Sequence, residues 1–267
     1  MKAVLLALAL VAPPVLAQVP PDDGQVKDAL AKSPRHGEWV DVALPGGGKL
    51  LTWVVYPEKK DKAGIVIVIH EIFGLTDWVR GVADQLAKDG FIALAPDLLS
   101  GMGPNGGGTD SLGADATKVI RNLTPADAAA RLDAVRAYAL KVPAANGKVG
   151  AVGFCWGGTT SFGYAVAQPN LNAAAVYYGT SPEAAEDYAK IGAPVMGFYG
   201  GDDARVDATI PRAEEAMKKL GKRYTANVYE GAGHGFLRQQ TGREGANARA
   251  SAKAWAATLA LFRESLK

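Results

Sequence analysis

The only cysteine of this 267-residue chain, Cys155, lies in the segment GFCWGG at residues 153–158. An apolar run that predicts a strand precedes it, and a run of small residues that predicts a helix follows it. A sharp turn from strand to helix needs small residues two positions either side of its apex, and Gly153 and Gly157 meet that need. The following helix dipole lowers the pKa of a thiol at such an apex. The pattern predicts an exposed nucleophile that favours the reactive thiolate.

A cysteine nucleophile needs a base, and the chain has three histidines, His36, His70 and His234. His234 lies in GAGHGF at residues 231–236, where a glycine-rich loop follows the last predicted strand. His36 precedes the predicted core, and His70 ends a buried strand. Because an imidazole titrates near neutral pH, His234 is the predicted catalytic base.

The acid of a strand-to-helix nucleophile fold falls between nucleophile and base in chain order. Of the aspartates in that range, three follow the predicted strand 195–199 and are candidates: Asp202, Asp203 and Asp207. A carboxylate at this loop orients an imidazole and stabilises its protonated form. Spacing alone does not choose among the three, and capping a turn is the ordinary role of a loop aspartate.

The segment HEIFGL at residues 70–75 follows the first predicted parallel strand. This position supplies one oxyanion-hole amide in such a fold, and the residue after the nucleophile supplies the other. The two amides are therefore predicted at Ile72 and Trp156. Glu71 would then lie beside the thiol, and the alternative is a surface glutamate paired with a lysine or arginine.

The elements that position these residues alternate along the chain. Uninterrupted apolar runs predict strands covered on both faces. These runs are residues 65–69, 91–95, 149–152, 173–178, 195–199 and 226–229. Helices are predicted at 77–88, 125–141, 158–167, 211–220 and about 245–265. We therefore predict an α/β fold with a mostly parallel central sheet and helices on both faces.

Two further segments frame this sheet. Residues 38–44 and 49–56 flank the glycine-rich turn 45–48 and predict an antiparallel N-terminal hairpin. Residues 101–113 contain six glycines and predict a flexible loop at the end of a strand.

The N-terminus predicts an exported protein. Residues 1–17 combine Lys2, an apolar stretch and Ala17 in the pattern of a signal peptide, which places the mature chain in the periplasm or outside the cell. Residues 18–37 predict an exposed leader without chemistry, and residues 38–267 a single domain. A lone cysteine forms no internal disulfide.

The composition limits the partners. Without residues 1–17 the chain has 28 Lys and Arg against 27 Asp and Glu, a formal charge of +1, which argues against nucleic acid as a partner. No later segment is apolar over enough residues to cross a membrane, so no stable membrane insertion is expected after signal removal. We expect a monomer that acts on a small molecule.

Together the motifs HEIFGL, GFCWGG, GGDD and AGHGF resemble the dienelactone hydrolase family, carboxymethylenebutenolidase-like members of the α/β-hydrolase superfamily, over residues 38–264. The resemblance selects Asp203 as the acid. It implies that Glu71 contacts the resting thiol and takes its proton when substrate binds, so that Cys155 is acylated at an ester carbonyl. It implies further that His234, oriented by Asp203, assists deacylation by water.

The resemblance also suggests substrate-binding residues. An arginine just after the histidine binds a substrate carboxylate in the family, and Arg238 stands four residues beyond His234. Phe73 and Tyr177 are further candidates. The second substrate arginine of the family has no clear counterpart, since the glycine-rich segment before residue 125 offers only Arg121.

The sequence therefore predicts an exported, cysteine-dependent hydrolase of carboxylic esters or lactones. It predicts no cofactor, and no metal site, because no two histidines have a two-ligand spacing. Two alternatives stay open. One is an acyl hydrolase or transferase that acts on thioesters or peptides, and the other is a binding protein in which Cys155 is inert.

Overall fold

The structure, a computed structural model, describes residues 18–267, and the predicted signal peptide at residues 1–17 lies outside them. The strands are β1 Gly37–Ala43, β2 Lys49–Val55, β3 Ala63–Ile69, β4 Ile92–Pro96, β5 Ala145–Phe154, β6 Ala173–Tyr177, β7 Val195–Gly200 and β8 Tyr224–Tyr229. The helices are α1 Val26–Ala31, α2 Asp77–Lys88, α3 Thr109–Leu112, α4 Ala116–Val119, α5 Pro125–Ala139, α6 Trp156–Ala167, α7 Asp187–Lys190, α8 Ala204–Asp207, α9 Ile210–Lys219 and α10 Ala246–Ser265.

The strands form one sheet in the order β1-β2-β4-β3-β5-β6-β7-β8. The pairs β1–β2 and β2–β4 are antiparallel, and the remaining pairs are parallel. The predicted mostly parallel sheet with an antiparallel N-terminal hairpin is confirmed. The carboxyl ends of the parallel strands meet at one edge, where α/β proteins place their sites.

Helices cover both faces of the sheet, as predicted. Strand β3 is buried along its whole length, and its side chains alternate between two cores. Val66 and Val68 belong to the core that also contains residues of α1, α2 and α10, whereas Ile65, Ile67 and Ile69 belong to the core that contains residues of α5, α6, α7 and α9. This alternation explains why the sequence shows an uninterrupted apolar run rather than a half-polar strand.

The segment before β1 is packed on the domain, which corrects the expectation of an exposed leader. Helix α1 lies against α2, and Val26 is buried against Gly81, where a Cβ would lie 2.4 Å from the valine side chain. Beyond α1, Arg35 forms an ion pair with Asp84 of α2. Apolar burial and a partly buried ion pair thus attach residues that show little periodicity in sequence.

The glycine-rich segment 101–113 is also more ordered than predicted. It folds into short helical turns that include α3. Asp97 holds it, because its two carboxylate oxygens accept hydrogen bonds from the Thr109 amide and the Thr109 hydroxyl, both at 2.7 Å. Among residues 18–267, no helix is long and apolar enough to cross a membrane.

Candidate active site

Cys155 lies at a sharp turn between β5 and α6 with a backbone φ of +56°, a conformation that a residue with a side chain rarely adopts. The flanking positions accept only glycine, because a Cβ atom there would overlap the backbone of neighbouring residues. A Cβ on Gly153 would lie 1.8 Å from the carbonyl oxygen of Gly157, and one on Gly157 would lie 2.3 Å from that of His70. The structure therefore gives the glycine spacing a steric reason: the start of α6 packs directly on the ends of β5 and β3.

The resting thiol is partly buried, and burial together with the nearby Glu71 carboxylate raises the pKa of Cys155. A hydrogen bond from the Trp156 amide lowers the pKa by less. The sequence expectation of a thiol pKa lowered by the helix dipole is therefore wrong, because desolvation and a like charge outweigh the dipole. A neutral thiol fits the activation by substrate that the family resemblance implies.

Glu71 is the second residue after the end of β3 and is buried, with 3% of its surface exposed. Its Oε2 lies 2.7 Å from Nε of Arg238, so the two form a buried ion pair. Burial raises the pKa of Glu71 to about 7, and the Arg238 charge opposes that rise. A carboxyl group with this pKa exchanges its proton readily near neutral pH, as a general base must.

The structure brings Asp203 to His234. Asp203 Oδ2 lies 2.5 Å from His234 Nδ1, and the carboxylate is buried at the turn after β7. The other two aspartates lie elsewhere: Asp202 forms an exposed ion pair with Arg243 at 2.6 Å, and Asp207 ends α8. The Asp203 carboxylate fixes the ring so that Nε2 is the nitrogen available for chemistry.

His70, which the sequence left without a role, fixes the backbone beside the thiol. Its Nδ1 lies 2.7 Å from the Glu71 carbonyl oxygen, and its Nε2 lies 3.1 Å from the Leu98 amide nitrogen. Burial lowers the pKa of His70, so the ring is neutral, with Nδ1 donating and Nε2 accepting. The Glu71 carbonyl and the Ile72 amide belong to one peptide unit, so this bond orients one predicted oxyanion donor.

The second predicted oxyanion donor lies against the same histidine. The Trp156 ring stacks on the His70 ring with centroids 5.7 Å apart. At the other end of the loop, the Leu75 amide donates to the Thr109 hydroxyl at 3.0 Å. The loop after β3 is thus held at both ends, and the buried His70 ring contacts both the peptide unit that carries the Ile72 amide and the side chain of Trp156.

The structure places Tyr177 away from the site and its neighbour Tyr178 in it. The Tyr177 hydroxyl lies 2.7 Å from Thr258 of α10, within the core. Tyr178 follows β6 with a φ of +39°, and its ring packs 5.1 Å from the His234 ring. The Tyr178 hydroxyl is buried without a hydrogen-bond partner among residues 18–267. The apolar run predicted a strand that continues through residue 178. The strand ends at Tyr177 instead, and the backbone turn at Tyr178 directs its side chain towards His234.

Arg238 and Phe73 meet at the mouth of the site. The guanidinium carbon lies 5.3 Å from the centre of the Phe73 ring, and that ring is 41% exposed.

Arg121 lies exposed on the turn before α5. In the part of the chain that the structure covers, no three His, Cys, Asp or Glu side chains are grouped to hold a metal ion.

Comparisons with known proteins identify relatives of this chain. The model of the dienelactone hydrolase family matches residues 50–266. A candidate carboxymethylenebutenolidase from Methylorubrum extorquens is 35% identical over 64% of this chain and 62% of that protein, so the match spans less than two thirds of the relative. Another from Synechocystis is 33% identical over 76% of this chain and 87% of that protein.

Among solved structures, the crystal structure of a candidate dienelactone hydrolase from Klebsiella pneumoniae superposes with a TM-score of 0.75 at 25% identity. The superposition covers 86% of this chain and 98% of that one. The α/β-hydrolase fold expected from the sequence motifs is thereby confirmed.

Proposed function

Because this chain belongs to the dienelactone hydrolase family, we propose that it hydrolyses carboxylic esters or lactones through an acyl-cysteine intermediate on Cys155. One observation carries the proposal. Cys155 occupies a strained turn at the sheet edge where the buried Glu71 carboxylate and the Asp203–His234 pair also lie. A nucleophile, a base for it and an oriented imidazole are the parts that two-step acyl transfer requires.

Activation begins with the neutral thiol. An ester that enters the site excludes water from the Glu71 carboxylate and the Cys155 sulfur. Glu71 accepts the thiol proton, because its pKa of about 7 allows the carboxylate to be present at neutral pH. The thiolate forms only when a carbonyl carbon is beside it, which limits side reactions of a free thiolate.

The thiolate sulfur then bonds to the carbonyl carbon, and the carbonyl π electrons move to the oxygen. Amides of Ile72 and Trp156 donate hydrogen bonds to this oxyanion. When the carbonyl re-forms, the bond from carbon to the alkoxy oxygen breaks, and the leaving oxygen takes up the proton that Glu71 accepted from the thiol. In a lactone the leaving oxygen stays attached to the acyl chain, so the product is a hydroxy or keto acid.

Deacylation uses the imidazole. His234 Nε2 removes a proton from water, and the resulting hydroxide attacks the thioester carbonyl. Asp203, 2.5 Å from Nδ1, stabilises the imidazolium that forms. The carbon–sulfur bond then breaks, the acid leaves, and the His234 imidazolium gives its proton to the Cys155 sulfur.

The substrate class follows from the mouth of the site. Phe73 offers an exposed aromatic face beside the Arg238 guanidinium, so a flat acyl or alkoxy group suits this position. The unpartnered Tyr178 hydroxyl supplies a further donor next to His234. We therefore propose small, unsaturated or aromatic esters and lactones.

The test compares wild type with Cys155→Ala and Cys155→Ser on aryl esters and unsaturated lactones. Wild type should turn over esters and yield an acylated Cys155 peptide in rapidly quenched samples analysed by mass spectrometry. Cys155→Ala should lose at least about 10³-fold in kcat/KM. Full activity in Cys155→Ala, or acylation of another residue, would show that the nucleophile is not Cys155.

Export is a further part of the proposal and rests on the signal-peptide pattern of residues 1–17. N-terminal sequencing of the protein recovered from the periplasm or medium should read from Gln18. Recovery of the whole chain, with residues 1–17 still attached, from the cytoplasm would contradict the proposed export.

A further inference from the structure

Arg238 faces two carboxylates of its own chain. Glu71 lies 2.7 Å from Nε on the buried side, and Asp23 lies 3.3 Å from Nη1 on the outer side. The arginine side chain is 19% exposed, the Glu71 side chain 4% and the Asp23 side chain 54%. One positive charge therefore meets two negative charges at the place where the family resemblance expects a substrate carboxylate.

The backbone holds Asp23 at this position. The Asp23 amide donates to the Arg238 carbonyl at 3.0 Å. The residues before Asp23 are held in the same way. The Asp22 carboxylate accepts a hydrogen bond from the Gln240 amide at 2.8 Å, and the Gln240 side chain donates one to the Pro20 carbonyl at 2.8 Å. These bonds join residues 20–23 to the loop that follows His234, so the Asp23 carboxylate is brought to the guanidinium by fixed neighbours.

We propose that Asp23 is a specificity-determining residue that occupies the outer side of Arg238 in place of a substrate carboxylate. The inference rests on the proposed ester or lactone hydrolysis. A substrate that carries a carboxylate must displace Asp23 or approach a cluster whose formal charge is −1. An uncharged ester meets neither obstacle. The chain therefore prefers uncharged esters and lactones over carboxylate-bearing ones of the same size.

The substrate competes with Asp23 rather than with Glu71. The Glu71 contact is shorter and buried, so breaking it leaves a buried charge without a partner. The Asp23 contact is longer and half exposed, and water and salt weaken it. Such pairs contribute little to stability, so the expected effect of removing Asp23 on an anionic substrate is modest, about three- to tenfold.

The experiment uses two 4-nitrophenyl esters of equal acyl length, the uncharged pentanoate and the glutarate monoester that ends in a carboxylate. Asp23→Asn keeps the shape of the side chain and removes its charge. We expect the ratio of kcat/KM for the glutarate ester to that for the pentanoate to rise about three- to tenfold, mainly through KM. Asp28→Asn on the exposed side of α1 removes the same charge from the same segment and is the matched control.

Two results overturn the inference: an unchanged ratio in Asp23→Asn, or an equal rise in Asp28→Asn. Arg238→Gln gives a second check, because the effect of Asp23→Asn should vanish in that background. An effect that persists without the guanidinium means that Asp23 acts elsewhere.

Binding of glutarate, measured by calorimetry, separates this inference from the proposed function. Asp23→Asn should bind the dianion about three- to tenfold more tightly than wild type, whether or not the chain hydrolyses esters. Equal affinity, or no binding by either protein, contradicts the inference. Ester turnover that is lost in Cys155→Ala, together with equal glutarate affinity, would reject the role of Asp23 and leave the proposed function intact.

Discussion

The Glu71 carboxyl group lies between two influences that change its proton affinity in opposite directions. Burial disfavours the charged form, and the Arg238 guanidinium favours it. Burial is the larger effect, so the pKa of Glu71 rises to about 7. Burial and, to a smaller extent, the same carboxylate raise the pKa of Cys155, which keeps the thiol neutral at rest. Glu71 thus helps to keep the Cys155 thiol protonated and is the proposed acceptor of its proton.

This residue gives a pH prediction. Below about pH 7 Glu71 is protonated and cannot accept the thiol proton, so kcat/KM of wild type should fall as the pH drops through about 7. In the proposed mechanism kcat/KM reports steps up to acylation, so the proposed deacylation by His234 does not contribute to this limb. Glu71→Gln should lower kcat/KM by at least about 10²-fold at pH 8. Its profile should lack the limb, and an identical limb in the variant contradicts the assignment.

At the scale of elements, the loop after β3 and the start of α6 form one unit. A Cβ on Gly157 would contact the backbone at His70, and the His70 ring contacts both the Glu71 carbonyl and the Trp156 ring. The strand ends and the helix start therefore place the two amides with little freedom. Preorganised donors of this kind require no rearrangement during the reaction.

Two substitutions of His70 separate its hydrogen bonds. His70→Asn can place an amide nitrogen near the position of Nδ1 and keep the bond to Glu71, whereas His70→Gln can replace only the acceptor for Leu98. We expect His70→Asn to retain kcat within about tenfold, and His70→Gln to lose about 10²-fold with KM little changed. Steady-state kinetics give kcat and KM for both variants, and thermal melting gives their stability. Equal losses in kcat, or losses that follow melting temperature, contradict a positioning role.

At the scale of the whole molecule, the active site places ionisable groups in the interior at a cost in stability. Glu71 has a folded pKa of about 7 against an ordinary value of 4.5, so the folded state binds its proton more tightly than the unfolded chain does. This contribution favours the fold below about pH 4.5 and is lost as the pH rises through about 7. The stability gained at low pH is absent at the pH where Glu71 is proposed to work.

Glu71→Gln should therefore gain stability relative to wild type as the pH rises. We expect the free energy of unfolding of the variant minus that of wild type to rise by ~1–3 kcal/mol between pH 4.5 and pH 8, because only wild type must ionise a buried Glu71 over this range. Denaturant unfolding of both proteins across this range measures the difference. A gain that does not change with pH would mean that the buried charge is not its cause.

Much of the site could be predicted from the sequence because its signals are local. Gly153 and Gly157 mark the turn at Cys155, since only residues without a side chain fit those contacts. The apolar runs fix the strands, and each motif follows a strand whose carboxyl end lies at the shared sheet edge. The family resemblance added the choice of Asp203, which no spacing rule could make.

Only the tertiary structure decided the properties that depend on burial and on contacts between distant residues. Asp23 and Arg238 meet although 215 positions separate them, and nothing periodic in residues 18–37 predicts it. The turn after β6 sends Tyr178 to the site and leaves Tyr177 in the core. The sequence determined by itself which groups could react and in what order they occur. Their protonation states and their access to substrate depend on desolvation and long-range charge, which exist only in the folded chain.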